Sequence, residues 1–228
     1  MVAPPVDVKL PGRLGDPTRE LRSDPRADPR VVAALAPLGL DVTAPPLPVG
    51  RDDPVDDLLA VALETEQTYQ TIFESLLADF PAAEGVDART ETVTGVDGNE
   101  ITLYIHRPAD AAGPLPGLLH VHGGGMAILR AADAEMWCDH LAAEGCVVVG
   151  VEFRNSAGVL GPHPFPAGLN DCAAALAWMD AHRDELGLTS IVVTGESGGG
   201  NLSLATALKA KRGHLDRIVG VYAQVPFI

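Results

Sequence analysis

The stretch Thr194-Gly195-Glu196-Ser197-Gly198-Gly199-Gly200-Asn201 constrains this 228-residue chain more than any other. Before it runs Ile191-Val192-Val193, apolar and β-branched, which reads as a buried strand. After it, Leu202 to Lys211 reads as a helix. A serine between glycines at a strand-to-helix junction is the G-x-S-x-G elbow pattern. The turn is tight enough to strain the serine backbone, and a Cβ at Gly195 or Gly199 would collide with a neighbouring strand or helix. Such a turn lifts the Ser197 hydroxyl above the sheet and aims the free N–H groups of the new helix at whatever the hydroxyl attacks. Taken alone, the same residues also fit a Gly-rich turn with a spectator serine.

A second stretch argues against the spectator. Leu118-Leu119-His120-Val121-His122-Gly123-Gly124-Gly125 is an apolar strand running into three glycines, well upstream of the elbow. This is the HGGG type of loop, whose bare backbone amides face the elbow serine. Glycines let those amides approach a developing alkoxide, where losing one donor costs about 2.7–4 kcal/mol of barrier. Two motifs in the expected order are more specific than either one.

The rest of the chain supplies a scaffold of the matching class. Arg89 to Val96 and Glu100 to Arg107 form a predicted β-hairpin turned by Asp97-Gly98-Asn99. From Leu115 onward strand and helix alternate: strand Gly117–His122, helix Ala132–Glu144, strand Cys146–Phe153, helix Gly168–Glu185, strand Ser190–Thr194, the helix after Ser197 closed by Gly213, and strand Ile218–Val225. A hairpin followed by such alternation predicts an α/β fold, a mostly parallel sheet with helices on both faces. The expected organisation is an N-terminal arm and helical cap region over residues 1–82 and an α/β core over 83–228. Within the arm, a short helix is expected from Val31 to Leu38, stopped by Gly39.

Pro54 to about Phe80 carries the longest helical pattern. Val55, Leu58, Leu59, Ala62, Leu63, Tyr69, Ile72, Phe73, Leu76 and Leu77 form a broad apolar stripe. The pattern fits a helix packed against the sheet as well as a cap. Arg154 to Ala167, with three prolines, reads as a long loop.

Composition excludes several function classes. A formal charge of −15 repels nucleic acid and anionic membranes, so neither is expected as a partner. The N-terminus lacks the basic and apolar regions of a secretory signal, and no apolar run reaches membrane-spanning length. Cys138, Cys146 and Cys172 have no metal-ligand spacing and read as buried free thiols of a cytoplasmic protein. His120 and His122 share one side of a strand, but with no third ligand a metal is not expected. Neither glycine cluster reads G-x-G-x-x-G, which removes a dinucleotide-binding module, and no cofactor is implied.

On these motifs the chain resembles the hormone-sensitive-lipase-like branch of the α/β-hydrolase carboxylesterases. The likeness runs from Gly12-Arg13-Leu14-Gly15-Asp16-Pro17 through the hairpin Gly95–Thr102 and His163-Pro164-Phe165-Pro166 to Gly195–Leu202. The resemblance implies the α/β-hydrolase fold and hydrolysis of small to medium carboxylic esters or lactones through an acyl-enzyme. Ser197 would be the nucleophile, with Gly124, Gly125 and Gly198 as oxyanion donors and His122, Gly123 and Glu196 in support. Many relatives have Asp at the Glu196 position and Ala at the Gly198 position; both departures are expected to be mild. The N-terminal helices would contribute to a cap, and His163–Pro166 would help shape the site wall.

A serine needs a histidine base and an acid to orient it, following in that order on this fold. After Ser197 only His214 remains, and a helix rising ~1.5 Å per residue carries it roughly 25 Å away. His106, His140, His163 and His182 carry no signal beyond ordinary use. The six expected strands are also fewer than the resembled fold has, and its last strands carry the acid and histidine. The expectation is therefore an esterase chain truncated before its triad, inactive alone and prone to form a homo-oligomer through its last, apolar strand. The alternatives are a non-catalytic ligand-binding protein on the same scaffold, as in the gibberellin receptors, or an inactive gene product. Amidase or peptidase chemistry stays open, because the same elbow serves either leaving group.

Overall fold

The computed structural model describes residues 16, 18–213 and 218–228. The residues Gly12–Gly15 and Pro17 of the N-terminal likeness, and His214, lie outside them. Two compact units divide the chain, Met1–Gly50 and Arg51–Ile228.

In the first unit, helix α1 spans Pro29–Leu35. The Asp28 side chain caps it by accepting the Arg30 N–H, and Pro29 occupies the first turn, where no donor is needed. A 3-10 turn at Ala36–Leu38 follows, and Gly39 closes it in the left-handed region at φ 68°. Paired charges order this segment: Arg26 grips the buried Asp24 with two nitrogens, and Arg22 donates to the buried Asp41 at 2.9 Å.

The second unit opens with helix α2, Val55–Leu77, with Pro54 at its N-cap and Asp56 and Asp57 in its first turn, where the helix dipole favours them. The hairpin follows as β1 (Val86–Thr94) and β2 (Glu100–Pro108). Gly95 donates to the Asn99 carbonyl at 2.7 Å, and Gly98 takes φ 79°, the conformation that makes glycine the turn residue here. Then come β3 (Leu115–Val121), α3 (Glu135–Ala143), β4 (Val147–Val151), α4 (Ala167–Ala181), β5 (Leu188–Glu196), α5 (Gly198–Arg212) and β6 (Ile218–Gln224).

The sheet runs β1-β2-β4-β3-β5-β6. Strands β1, β2 and β4 pair antiparallel, and β4, β3, β5 and β6 pair parallel. All five residues of β4 are buried, as expected for a strand covered on both faces. One face packs Leu103, Leu119, Val121 and Val149 against Leu176 and Met179 of α4 and Leu202 of α5. The other packs Val148 against Cys138 and Ala142 of α3.

Two sequence expectations change, and one of the two alternatives for α2 is not found. Helix α4 stops at Ala181, short of Glu185; His182 follows as its C-cap, stacks on Trp178 at 4.5 Å and has Nδ1 2.9 Å from the Trp178 carbonyl. Cys146 sits just before β4 rather than within it, and unlike the buried free thiols Cys138 and Cys172 it is only half-buried. The apolar stripe of α2 is not buried against the sheet. Leu63, Tyr69, Phe73, Leu76 and Leu77 are all more than a third exposed, and the buried residue of α2 is Glu66. Among the described residues, no helix is long and apolar enough to cross a membrane.

Candidate active site

Ser197 stands between β5 and α5 with φ 53° and ψ −118°. A non-glycine residue in that region stores of order 1–3 kcal/mol of strain and persists only where its surroundings fix it. Here the Ser197 N–H donates to Gln224 at 3.0 Å, and its carbonyl accepts from Phe227 at 2.9 Å and Asn201 at 3.1 Å. The flanking glycines leave room for a backbone crossing. A Cβ on Gly195 would lie 2.3 Å from the Val121 carbonyl oxygen, and one on Gly199 would lie 2.0 Å from the same atom. The elbow thus presses directly on the end of β3.

From that strand end the chain enters His122-Gly123-Gly124-Gly125. Gly124 (φ 103°) and Gly125 (φ 65°) are followed by Met126, also at positive φ. The Gly124 carbonyl accepts from both Ala127 and Ile128, which curls the loop back over the elbow. A Cβ on Gly198 would stand 2.7 Å from the Gly125 nitrogen and 2.8 Å from that of Met126. Alanine at 198 would therefore require the loop or the elbow to shift. The N–H groups of Gly124, Gly125 and Gly198 make no hydrogen bond to another described residue.

Polar side chains hold the loop. Glu196 Oε1 accepts the Gly123 N–H at 2.7 Å. Its Oε2 lies 3.3 Å from His120 Nε2, an ionic contact without hydrogen-bond alignment. Burial acts to lower the pKa of His120, but Cys138 and Glu196 beside it outweigh burial and raise it to about 10. Burial acts to raise the pKa of Glu196, and the His120 charge and the Gly123 N–H hold it below the ordinary value. His122 is the opposite case: burial, with the neighbouring His120 charge, lowers it to about 4. Because a carbonyl can only accept, its Nδ1–H donates to the Gly123 carbonyl at 2.7 Å, and the ring stacks on Phe153 at 4.2 Å.

Ser197 opens into a cleft of about 770 Å³. Tyr69, Phe73 and Leu77 of α2 form one wall, and Met136 and Trp137 form another. The charged groups Arg130 and Asp133 meet in an ion pair of 2.6 Å. His140 also lines the cleft, with Phe80 edge-on at 5.0 Å, which no sequence signal indicated. His163–Pro166 does not line it; Phe165 points into solvent, 83% exposed. His106 is placed elsewhere, buried with Nδ1 2.7 Å from Asp139. No described histidine is hydrogen-bonded to Ser197.

Sequence reasoning missed Glu66. It falls in step with Ala62, Leu63, Tyr69 and Phe73 on the α2 stripe, and a charge at such a position is the signal that could have found it.

Comparison with known proteins agrees with this geometry. Residues 118–228 match the family model for the α/β-hydrolase fold. Among solved structures, brefeldin A esterase, a bacterial homologue of human hormone-sensitive lipase, superposes with a TM-score of 0.90 at 50% identity, covering 96% of this chain and 62% of that one. The esterase Est22 gives a TM-score of 0.77 at 34% identity, covering 92% and 63%. The carboxylesterase NlhH of Mycobacterium tuberculosis is 35% identical over 127 residues, which is 53% of this chain and 38% of that enzyme. The chain thus spans less than two thirds of the length of these relatives.

Proposed function

Since the chain has the α/β-hydrolase fold and resembles the hormone-sensitive-lipase-like carboxylesterases, we propose that it is the nucleophile-bearing part of a cytoplasmic serine esterase acting on small to medium carboxylic esters or lactones. The observation that carries this reading is the strained Ser197 beside three glycine N–H groups that bond no described residue, at the mouth of an apolar cleft.

In the proposed reaction Ser197 Oγ attacks the ester carbonyl, and its proton passes to a histidine base. The N–H groups of Gly124, Gly125 and Gly198 stabilise the tetrahedral oxyanion. Collapse expels the alcohol and leaves an acyl-enzyme, which water then hydrolyses by the same steps. The base and its orienting acid are assigned to sequence outside the described residues. A protein of net charge −15 with its cleft arginine already paired to Asp133 suits neutral rather than anionic esters.

The test is hydrolysis of a short-chain p-nitrophenyl ester by the intact natural protein and by Ser197→Ala. The reading expects turnover that falls by about ten-thousand-fold or more in the variant. Binding of an ester analogue without any turnover would instead indicate a ligand-binding role on this scaffold.

A further inference from the structure

Glu66 is buried, with no exposed surface, on a helix whose apolar side chains are half in solvent. Both of its oxygens are used. Oε1 accepts the N–H of Leu129 at 2.7 Å, and Oε2 accepts the N–H of Val159 at 2.7 Å. Space for the carboxylate comes from Gly158, where a Cβ would stand 2.5 Å from Oε2. A carboxylate receiving two backbone donors at this distance makes charge-assisted bonds, roughly twice as strong as neutral ones.

Leu129 ends the loop that begins at His122. It takes φ 73°, which a leucine adopts only where its neighbours impose it. Its N–H is held by Glu66 and its carbonyl by Asn155 Nδ2 at 2.7 Å. At the other end of the same loop Gly123 is held by Glu196. The strained segment carrying Gly124 and Gly125 is therefore pinned at each end by a carboxylate, one from the elbow and one from α2. Tyr69 and Phe73 lie one and two turns beyond Glu66 on the same helix and line the cleft.

We infer that Glu66 is a positioning residue that couples the α2 wall of the cleft to the loop bearing the Gly124 and Gly125 donors. Its effect on turnover rests on the esterase reading; the mechanical coupling does not. Displacing Tyr69 and Phe73 moves Glu66, and Glu66 sets Leu129. An error of about 1 Å in the donors is enough to lower turnover by roughly a hundredfold.

The test compares Glu66→Gln, Glu66→Ala and the control Glu64→Gln, on the exposed side of α2, in the intact natural protein. Glutamine keeps the size but has one acceptor oxygen, and its NH2 opposes the second backbone donor, so one bond is lost with little risk to folding. Hydrogen exchange and steady-state kinetics are measured together. Glu66→Gln is expected to speed exchange of the hydrogen-bonded Ala127, Ile128, Leu129 and Val159 amides about tenfold, with β3 and β5 unchanged, and to lower kcat by about 10- to 100-fold with KM altered less than about threefold. Glu66→Ala should do more of the same, and Glu64→Gln should do neither. Loop exchange at the wild-type rate in Glu66→Gln would overturn the inference. So would a freed loop with undiminished kcat, or a loss of protection spread through β3 and β5. A wild type that hydrolyses no ester would count against the esterase reading, and loop exchange would still decide the coupling.

Discussion

Gly198 and Gly125 meet backbone to backbone: a Cβ on Gly198 would stand 2.7 Å from the Gly125 nitrogen. Real side chains do not approach that closely, so alanine at 198 must displace the loop or the elbow. Because Gly125 is a proposed oxyanion donor, Gly198→Ala is expected to lower kcat about tenfold and leave KM nearly unchanged, the signature of a contact made in the transition state. Steady-state kinetics of the variant check this. Full activity would mean that the loop yields freely and that the close approach has no consequence.

Gly199 tests the fold rather than the chemistry. A Cβ there would lie 2.0 Å from the Val121 carbonyl oxygen and 2.4 Å from that of His122. Neither atom is the end of a flexible side chain. Gly199→Ala is expected to destabilise the protein by about 3 kcal/mol or more, read from urea unfolding. A loss below about 1 kcal/mol would show that the elbow and β3 are less tightly apposed than described.

The His120–Glu196 pair predicts a pH dependence. His120 has a folded-state pKa of about 10, above its unfolded value of 6.5. A raised value of this kind gives stability that is fully present below about pH 6.5 and is lost as pH rises through about 10. Between those limits the Tm of the wild type is expected to fall more steeply than that of His120→Gln. Parallel Tm curves for the two proteins would contradict the charged assignment.

Much of this architecture is readable from residue patterns because it is imposed by local chemistry. Gly195 and Gly199 are needed by a backbone crossing, Gly98 by a turn, and the β-branched run of β4 by burial on both faces. What stayed hidden depends on groups distant in sequence. Glu66 reaches Leu129 and Val159, far along the chain, and no local pattern encodes the spacing. The fate of the α2 stripe was hidden for the same reason: apolar periodicity gives a face, not what it faces. The Gly187 stop signal places the end of α4 near Glu185, whereas residues 182–187 run on as turns, a difference that no residue type marks. The charge of His120 is hidden in the same way, because it arises only when Glu196 and Cys138 stand beside it.

Strand β6 forms one edge of the sheet, with Val219 and Tyr222 68% and 62% exposed. An apolar strand with an open ladder is a template for pairing with another chain. The 228-residue chain is therefore expected to associate at roughly tens of micromolar, and Val219→Lys with Tyr222→Lys should return it toward monomer. Sedimentation velocity checks both. A sharp monomer boundary for the unmodified chain would contradict the expectation.

The central claim is that Ser197 is a nucleophile, and labelling of the intact natural protein with a fluorophosphonate tests it most directly. Attack by Oγ forms an O–P bond, fluoride leaves, and the hydroxyl proton passes to the base. The account predicts a single adduct, mapped by peptide mass spectrometry to Ser197 and absent in Ser197→Ala. An adduct on another residue, or none in a folded wild type, would contradict it.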